Sequence, residues 1–372
     1  MYSFFFQDLN KFSPNQIKSF MEKVSYLNSK ITYCAFEKGK IKIFSDKKIN
    51  VSEKKIFANS CKKLIKRITL ISNVTDEKII FENNVKFSNK KNVFKHLKNT
   101  NSIKNISPGI FTLRGKFLNY FNNLDIFLLK RADYKKYENI HVHNMLPLES
   151  FIDNGYLLNF PHHVMFASNL KRDLKFIDRA SSLQDVKKIS QMIEDPKLVM
   201  SPCVCYHVFE TFKNANINSN KVFNSISSCN RFESINYSTF ERLQSFTMRE
   251  YIGFGSQKFI ESFLQDNINF FKKIFIKNKI KFKIVTANDP FFSQKGIKKM
   301  NYQSLNNLKF ELQFWLPNEK KWLAVGSFNN HLDVLTKKYK INFNKNNLHS
   351  GCVAWGYERF VYAIISQGKN LI

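Results

Sequence analysis

The chain has 372 residues, 59 Lys and Arg against 29 Asp and Glu, a formal charge of +30, and 39 Phe within a 43% hydrophobic composition. That apolar share excludes a disordered chain and suffices for one large or two ordinary domains. No apolar run reaches the roughly 18 residues of a membrane span, so a soluble protein without a membrane partner is expected.

The opening segment MYSFFFQDLNKF carries Asp8 and neither a basic n-region nor a small-residue cleavage site. No secretory signal is expected, and the cysteines at 34, 61, 203, 205, 229 and 352 read as reduced thiols or metal ligands of a cytoplasmic protein. The charge has two readings. Phosphate attraction would give it a nucleic-acid or other acidic partner, whereas the joint excess of Lys, Asn, Ile and Phe, with lysines scattered among asparagines, fits coding bias and a solvated surface.

In chain order, Lys30–Phe44 and Lys78–Phe87 predict strands and Glu53–Arg67 a helix. The Lys/Asn-rich stretch Asn89–Asn105 reads as a polar linker ending at Pro108-Gly109. Residues 1–112 hold no spacing of His, Cys, Asp or Glu that reads as chemistry, and are expected to be an accessory domain ahead of a larger one over 113–372. Beyond Leu113, the residues Phe117, Phe121, Leu124 and Leu128 recur at helical spacing as far as Arg131, with basic residues expected on the outer side. Asn139–Leu146 reads as extended and Pro147 stops it. Val186, Ile189 and Ile193 predict a helix over Leu183–Glu194. Another is expected over Gln257–Lys277, with Phe259, Phe263, Phe270 and Ile274 as its apolar stripe. Leu308, Phe310, Leu312, Phe314 and Leu316 alternate with Lys309, Glu311, Gln313 and Trp315, the period of a strand with one buried face.

Three constellations carry possible chemistry. From Ser228 to Gly255 two extended runs flank the polar loop Ser234–Phe240, which predicts a hairpin. Period two then puts Arg231 with Glu233 on one face, and Arg242, Gln244, Phe246, Met248 and Glu250 on another. A row mixing arginines with an aromatic ring suits a floor that grips phosphate oxygens and stacks a flat base, and it equally suits a half-exposed sheet edge with ion pairs. At the C-terminus a small-residue strand, Ser350–Gly356, turns into a helix with Arg359 in its first turn and Phe360, Ala363 and Ile364 inward. A cation there opposes the helix dipole unless it meets an anion; the alternative is a surface arginine. Cys203, Cys205, Glu250 and Cys352 would suit zinc if the fold gathered them, and otherwise are ordinary buried residues.

Together these segments resemble the catalytic domain of class II aminoacyl-tRNA synthetases. The helix, strand and Pro147 are similar to its first motif, Arg231-Phe232-Glu233 with the return strand to its second, and Gly356-Tyr357-Glu358-Arg359 to its third. Closer identities narrow the match: Gly155-Tyr156-Leu157, Cys205-Tyr206, Gln244-Ser245-Phe246-Thr247-Met248-Arg249-Glu250-Tyr251, Ala287-Asn288-Asp289-Pro290-Phe291-Phe292, Lys309-Phe310-Glu311-Leu312, Ser327-Phe328-Asn329 with His331 and Asp333, and Cys352-Val353. In this order they resemble the amino acid:[carrier protein] ligases, homologues of the zinc-dependent seryl-tRNA synthetases of methanogens. The likeness covers Leu113 to the C-terminus.

The resemblance implies an α+β fold, a class II synthetase-like antiparallel sheet flanked by helices, with a smaller N-terminal α+β accessory domain. It implies Zn2+ on Cys205, Glu250 and Cys352, with Cys203 as a bystander because no tyrosine follows it. Glu250 would also meet the amino acid. Arg231 and Arg359 are the implied catalytic cations, and ATP would be bound by Arg231, Glu233, Arg242, Leu243, Phe246, Lys309, Ala324, Val325, Gly326, Ser327 and Arg359, with Mg2+. The implied activity is ATP-dependent adenylation of a small amino acid, glycine or alanine, and transfer to the phosphopantetheine thiol of an acidic carrier protein by a homodimer, with tRNA not expected as acceptor. The alternatives are a seryl-like aminoacyl-tRNA synthetase and a catalytically degenerate paralogue that only binds. The chain departs from the pattern at Ala354-Trp355-Gly356, where the motif has a glycine pair, and at Val334-Leu335-Thr336, which bears on substrate choice.

Overall fold

The computed structural model describes residues 2–8, 12–37, 40–69, 77–87, 92–182, 186–233, 237, 240–287, 306–344 and 346–370. An eight-stranded sheet organises most of it, in the order Ile79–Glu82, Phe282–Thr286, Lys309–Leu316, Lys321–Leu332, His349–Gly356, Ser245–Gly255, Lys221–Asn230 and Glu138–Asn139. Every neighbouring pair is antiparallel except the last. Period-two alternation sorts the side chains of the central strands. Tyr251, Leu312, Phe314, Val353 and Trp355 point to a back core, whereas Met248 and Ala354 pack in a separate front cluster with Val142, Val204 and Cys229.

Three helices close the back. Gly115–Tyr134 contributes Phe117, Leu124 and Leu128, Gln257–Lys277 contributes Ile260, Phe263 and Phe271, and Tyr357–Ser366 contributes Phe360, Val361 and Ile364. The Ser256 hydroxyl accepts the Phe259 N–H and so caps the second of these. A buried arginine lies in this interface. Arg249, buried on the back of its strand, donates to Asp125 Oδ1 at 2.6 Å, to the Tyr357 hydroxyl at 2.9 Å and to Asn224 Oδ1 at 2.7 Å, tying strand, first helix and last helix together.

Residues 2–69 have a core of their own. Strands Tyr2–Asp8, Lys40–Ser45 and Ile31–Glu37 pair in that order, and helices Pro14–Val24 and Val51–Ile68 contribute Phe20, Val24, Phe57, Leu64 and Ile68 to the core beside Ile41 and Ile43. The extended run expected over Lys30–Phe44 is therefore two strands of a hairpin. Burial pushes Cys34 and Cys61 up to about 12, which marks them as packing residues and not nucleophiles.

Five expectations are corrected. The stretch 89–105, read as a linker, contains the helix Val93–Asn99 and the first strand of the hairpin Ile103–Ser107 with Ile110–Leu113. Val93, Leu97 and Ile103 belong to the main core and Ile79–Glu82 pairs with Phe282–Thr286, so the boundary drawn at 112 falls inside the larger unit. Arg131, expected on the outer side of its helix, is buried over the Phe270 ring and pairs with Asp266 at 2.7 Å. The helix near 183–194 is shorter, Val186–Ser190, and Leu183 lies outside the described residues. On Gln257–Lys277 the fully buried face runs through Ile260, Phe263, Leu264, Asn267, Phe271 and Phe275, one residue round from the expected stripe.

Candidate active site

The front of the sheet is built around the hairpin Lys221–Asn230 and Ser245–Gly255, whose strands pair from Lys221 with Phe254 to Asn230 with Ser245. The Arg231 N–H continues the ladder to the Gln244 carbonyl, and the Gln244 N–H donates to the carbonyl of Gly109. Gly109 has φ +71°, and a Cβ there would lie 2.7 Å from the Gln244 nitrogen and 2.5 Å from the Tyr237 ring, so glycine is required for this buttress. Loop residues 234–236 and 238–239 lie outside the described residues, as do Asn288–Phe292.

Four of the expected charges meet here. Arg242 donates to Glu233 Oε2 at 2.9 Å and Arg359 lies 3.7 Å from the same oxygen. Burial alone would raise the Glu233 carboxyl, but Arg359, Arg242 and Arg231 outweigh it and lower it to about 2. Arg231 donates through Nε to the Pro202 carbonyl at 2.8 Å and holds its guanidinium 5.3 Å from the centre of the Phe246 ring. Lys309 stands opposite Asn329, and Glu311 opposite Ser327, which pairs in turn with Ala354. Gly326 is tightly enclosed, since a Cβ would meet the Ala354 carbonyl at 2.8 Å, and Ala324 is half-buried on the same strand. Leu243 and Val325, by contrast, pack in the back core, so their side chains do not line this face.

Below the arginines the same face carries sulfur. The potential ligand atoms of Cys203, Cys205 and Glu250 lie within 4.8 Å of one another, and the Cys203 and Cys205 sulfurs are 3.4 Å apart. Cys352 joins them by a hydrogen bond with Cys205. That bond, with His331 and Asn329 beside it, holds the Cys352 thiol well below its usual range, against the opposing effect of burial. His331 Nε2 is 3.6 Å and Asn329 Nδ2 is 3.3 Å from the Cys352 sulfur. Glu250 is 1% exposed; its Oε1 accepts the Val204 N–H at 2.9 Å, while its Oε2 has no hydrogen-bond donor among the described residues. Burial, then the nearby Cys352, pushes the Glu250 carboxyl up to about 8. A buried carboxylate oxygen without a donor is costly unless it meets a cation. Thiolates around such an oxygen form a donor set that fits zinc.

Sequence reasoning set Cys203 aside, gave no role to His331, and read Asn329 as the end of a strand lining the ATP site, not as a neighbour of the thiols. The Cys-x-Cys spacing was the available signal for the first. The neighbours of Cys352 depend on strand pairing, Asn329 standing opposite Cys352 across the ladder.

No protein-family model matches the chain. Over 223 residues, 59% of the chain, it is 30% identical to amino acid–[acyl-carrier-protein] ligases 2 and 1 of Bradyrhizobium diazoefficiens, spanning 66% and 68% of those proteins. Over 238 residues, 60% of the chain, it is 24% identical to the type-2 serine–tRNA ligase of Methanococcus aeolicus, of which it spans 45%. The chain thus spans about two thirds of the first two relatives and less than half of the third. Among solved structures, M. kandleri SerRS in complex with A. aeolicus tRNASec matches with a TM-score of 0.69 at 17% identity, over 98% of this chain and 74% of that one. The seryl-tRNA synthetase of Pyrococcus horikoshii complexed with ATP matches with a TM-score of 0.61 at 12% identity, over 85% of this chain and 76% of that one. The fold is therefore that of class II seryl-tRNA synthetases, as the three motifs implied.

Proposed function

We propose, for a chain that belongs to the amino acid–[acyl-carrier-protein] ligase family, that it joins a small amino acid to ATP as an aminoacyl-adenylate and passes it to the phosphopantetheine thiol of a carrier protein. The observation that carries this reading is the convergence, on one sheet face, of the Arg231, Arg242, Arg359 and Glu233 cluster with the thiol and carboxylate set around Glu250. One group suits a nucleotide and the other suits an amine.

In the first step the amino-acid carboxylate attacks the α-phosphorus of ATP, and pyrophosphate leaves. Arg231 neutralises the charge that develops on the α-phosphate, and Arg242 and Arg359 hold the departing phosphates, with ATP entering as its Mg2+ complex. Fixed cations aimed where charge develops account for most of the rate in such chemistry. Glu233 accepts from the adenine amino group and Phe246 offers the ring a flat face; Lys309, the strand 324–327 and the backbone at Leu243 enclose the nucleotide. The carboxylate is already ionised, so positioning suffices and no general base is assigned. In the second step the carrier thiol loses its proton, attacks the acyl carbon, and AMP leaves.

Cys205, Glu250 and Cys352 would hold zinc, which when bound supplies a Lewis-acidic position for a free amine. Val142, Val204, Met248 and Ala354 pack together on the face that carries Glu250, with Ala354 opposite it and the Val204 N–H bonded to it, which supports glycine or alanine as substrate. A +30 chain suits an acidic carrier. All six cysteines are free, which agrees with a cytoplasmic setting, and no described helix is long and apolar enough to cross a membrane.

The test is amino-acid-dependent ATP–pyrophosphate exchange with zinc-loaded protein over the twenty amino acids. Exchange with glycine or alanine is expected. No exchange with any of them would mean that the chain is not an adenylating enzyme.

A further inference from the structure

The donor set assigned above uses Cys205 and Cys352, yet the ligand atoms that lie within 4.8 Å of one another belong to Cys203, Cys205 and Glu250, with Cys352 joined to them through Cys205. We propose that Cys203 is a fourth protein donor to the metal, so that this chain holds it with three thiolates and one carboxylate. The inference deepens, and rests on, the metal reading of the proposed function.

Distance is the first support. Two thiolates on one tetrahedral zinc, each at about 2.3 Å, sit about 3.8 Å apart. The Cys203 and Cys205 sulfurs are already 3.4 Å apart, and both lie within 4.8 Å of a Glu250 oxygen. Small shifts of side chains bring them onto one ion.

The backbone supplies the second. Each residue around Cys203 is pinned: the Asn230 N–H donates to the Ser201 carbonyl at 2.8 Å, Arg231 Nε to the Pro202 carbonyl at 2.8 Å, the Ser201 hydroxyl to the Cys203 carbonyl at 2.7 Å, and the Val204 N–H to Glu250 Oε1 at 2.9 Å. Two of these bonds lead to Arg231 and Glu250, so the loop that carries Cys203 is fixed by the site itself. A thiol held in that way is aimed.

Third comes exposure. Cys205, Glu250 and Cys352 are buried, while Cys203 is half-buried on the same face. As the least covered of the four, it is the donor that an incoming amino-acid amine would displace. Cys203 thereby becomes a gate on metal access in addition to a ligand.

Cobalt(II) alone is the probe, since its thiolate charge-transfer absorption grows with the number of coordinated sulfurs. Wild type should give three-thiolate intensity, and Cys203→Ser about two thirds of it, with zinc affinity against a competing chelator roughly tenfold or more weaker. Zinc X-ray absorption of the wild-type protein, which needs no variant, should count three sulfurs. Two sulfurs in that spectrum, or cobalt spectra that coincide between wild type and Cys203→Ser, would overturn the role of Cys203 while leaving the Cys205, Glu250 and Cys352 set intact. Failure of wild type to bind either metal would sink that set and this inference together. The half-buried position makes Cys203→Ser tolerable to the fold, and an unchanged thermal melt of the metal-free protein checks it.

Discussion

Glu233 is the anion at which three guanidinium groups converge, and its carboxyl is 12% exposed. Its ordinary value of 4.5 falls to about 2 in the folded chain. A depressed carboxyl stabilises the fold fully above the unfolded value and loses that contribution as pH falls through the window from 4.5 to about 2. The loss is on the order of 3 kcal/mol at the lower end. Denaturant midpoints followed from pH 6 down to pH 3 should therefore fall more steeply for wild type than for Glu233→Gln, and parallel curves would contradict the pairing. Arg231, Glu233, Arg242 and Arg359 were legible because charges flanking a predicted hairpin and at a helix start have few structural reasons to be there, although the first three lie just outside the strands themselves. The side-chain directions of Leu243 and Val325 were not legible. Both lie near places where period two fails, Leu243 in the loop before its strand and Val325 beside the register shift between Leu312 and Gln313. Between Cys203 and Cys205, the following tyrosine was a criterion of pattern, whereas the position of each thiol is decided by the hydrogen bonds of 201–204.

At the scale of elements, Gly109 shows how a hairpin outside the large sheet shapes the site. Its left-handed turn delivers a carbonyl to the Gln244 N–H, one strand residue from Phe246 and adjacent to Leu243. Gly109→Ala strains the turn and drives a methyl against Gln244 and Tyr237, so a loss of about 1–3 kcal/mol is expected, with a rise in KM for ATP exceeding the fall in kcat. A variant with wild-type stability and KM would remove the buttress from the account. The helix over Gln257–Lys277 was legible to the residue, since Ser256 caps it and its apolar pattern is long. Its buried face was misread because phenylalanines also lie on its flanks: Phe259 and Phe270 pack against the core without being fully covered. The helix Val93–Asn99 escaped notice because seven residues with only Val93, Phe94 and Leu97 apolar look like a solvated Lys/Asn tract.

Across the whole molecule, the fold class followed from the order of its motifs, while the division between its two cores did not, because the short strand Ile79–Glu82 joins a sheet whose next strand is 200 residues away. A three-stranded sheet of Met145–Pro147, Leu198–Met200 and Phe166–Ala167 buries Leu146 and Val199 and exposes Met145, Pro147 and Leu198 on its other face. We propose this apolar face as part of the contact of a homodimer. Leu198→Asp should halve the mass seen by light scattering and leave the fold intact; a wild-type protein that is already monomeric at micromolar concentration would reject the dimer. The charge of +30, first open to a nucleic-acid reading, now has a narrower meaning. Under the proposed function a few cations would serve one nucleotide, and the remaining surface would suit an acidic carrier whose capture weakens as salt rises. The measurement that tests this most directly offers zinc-loaded protein labelled amino acid and ATP together with two acceptors, a phosphopantetheinylated acidic carrier protein and total tRNA. Label that appears on the carrier as a thioester, and is released by hydroxylamine, is the predicted result; label confined to tRNA would contradict the account.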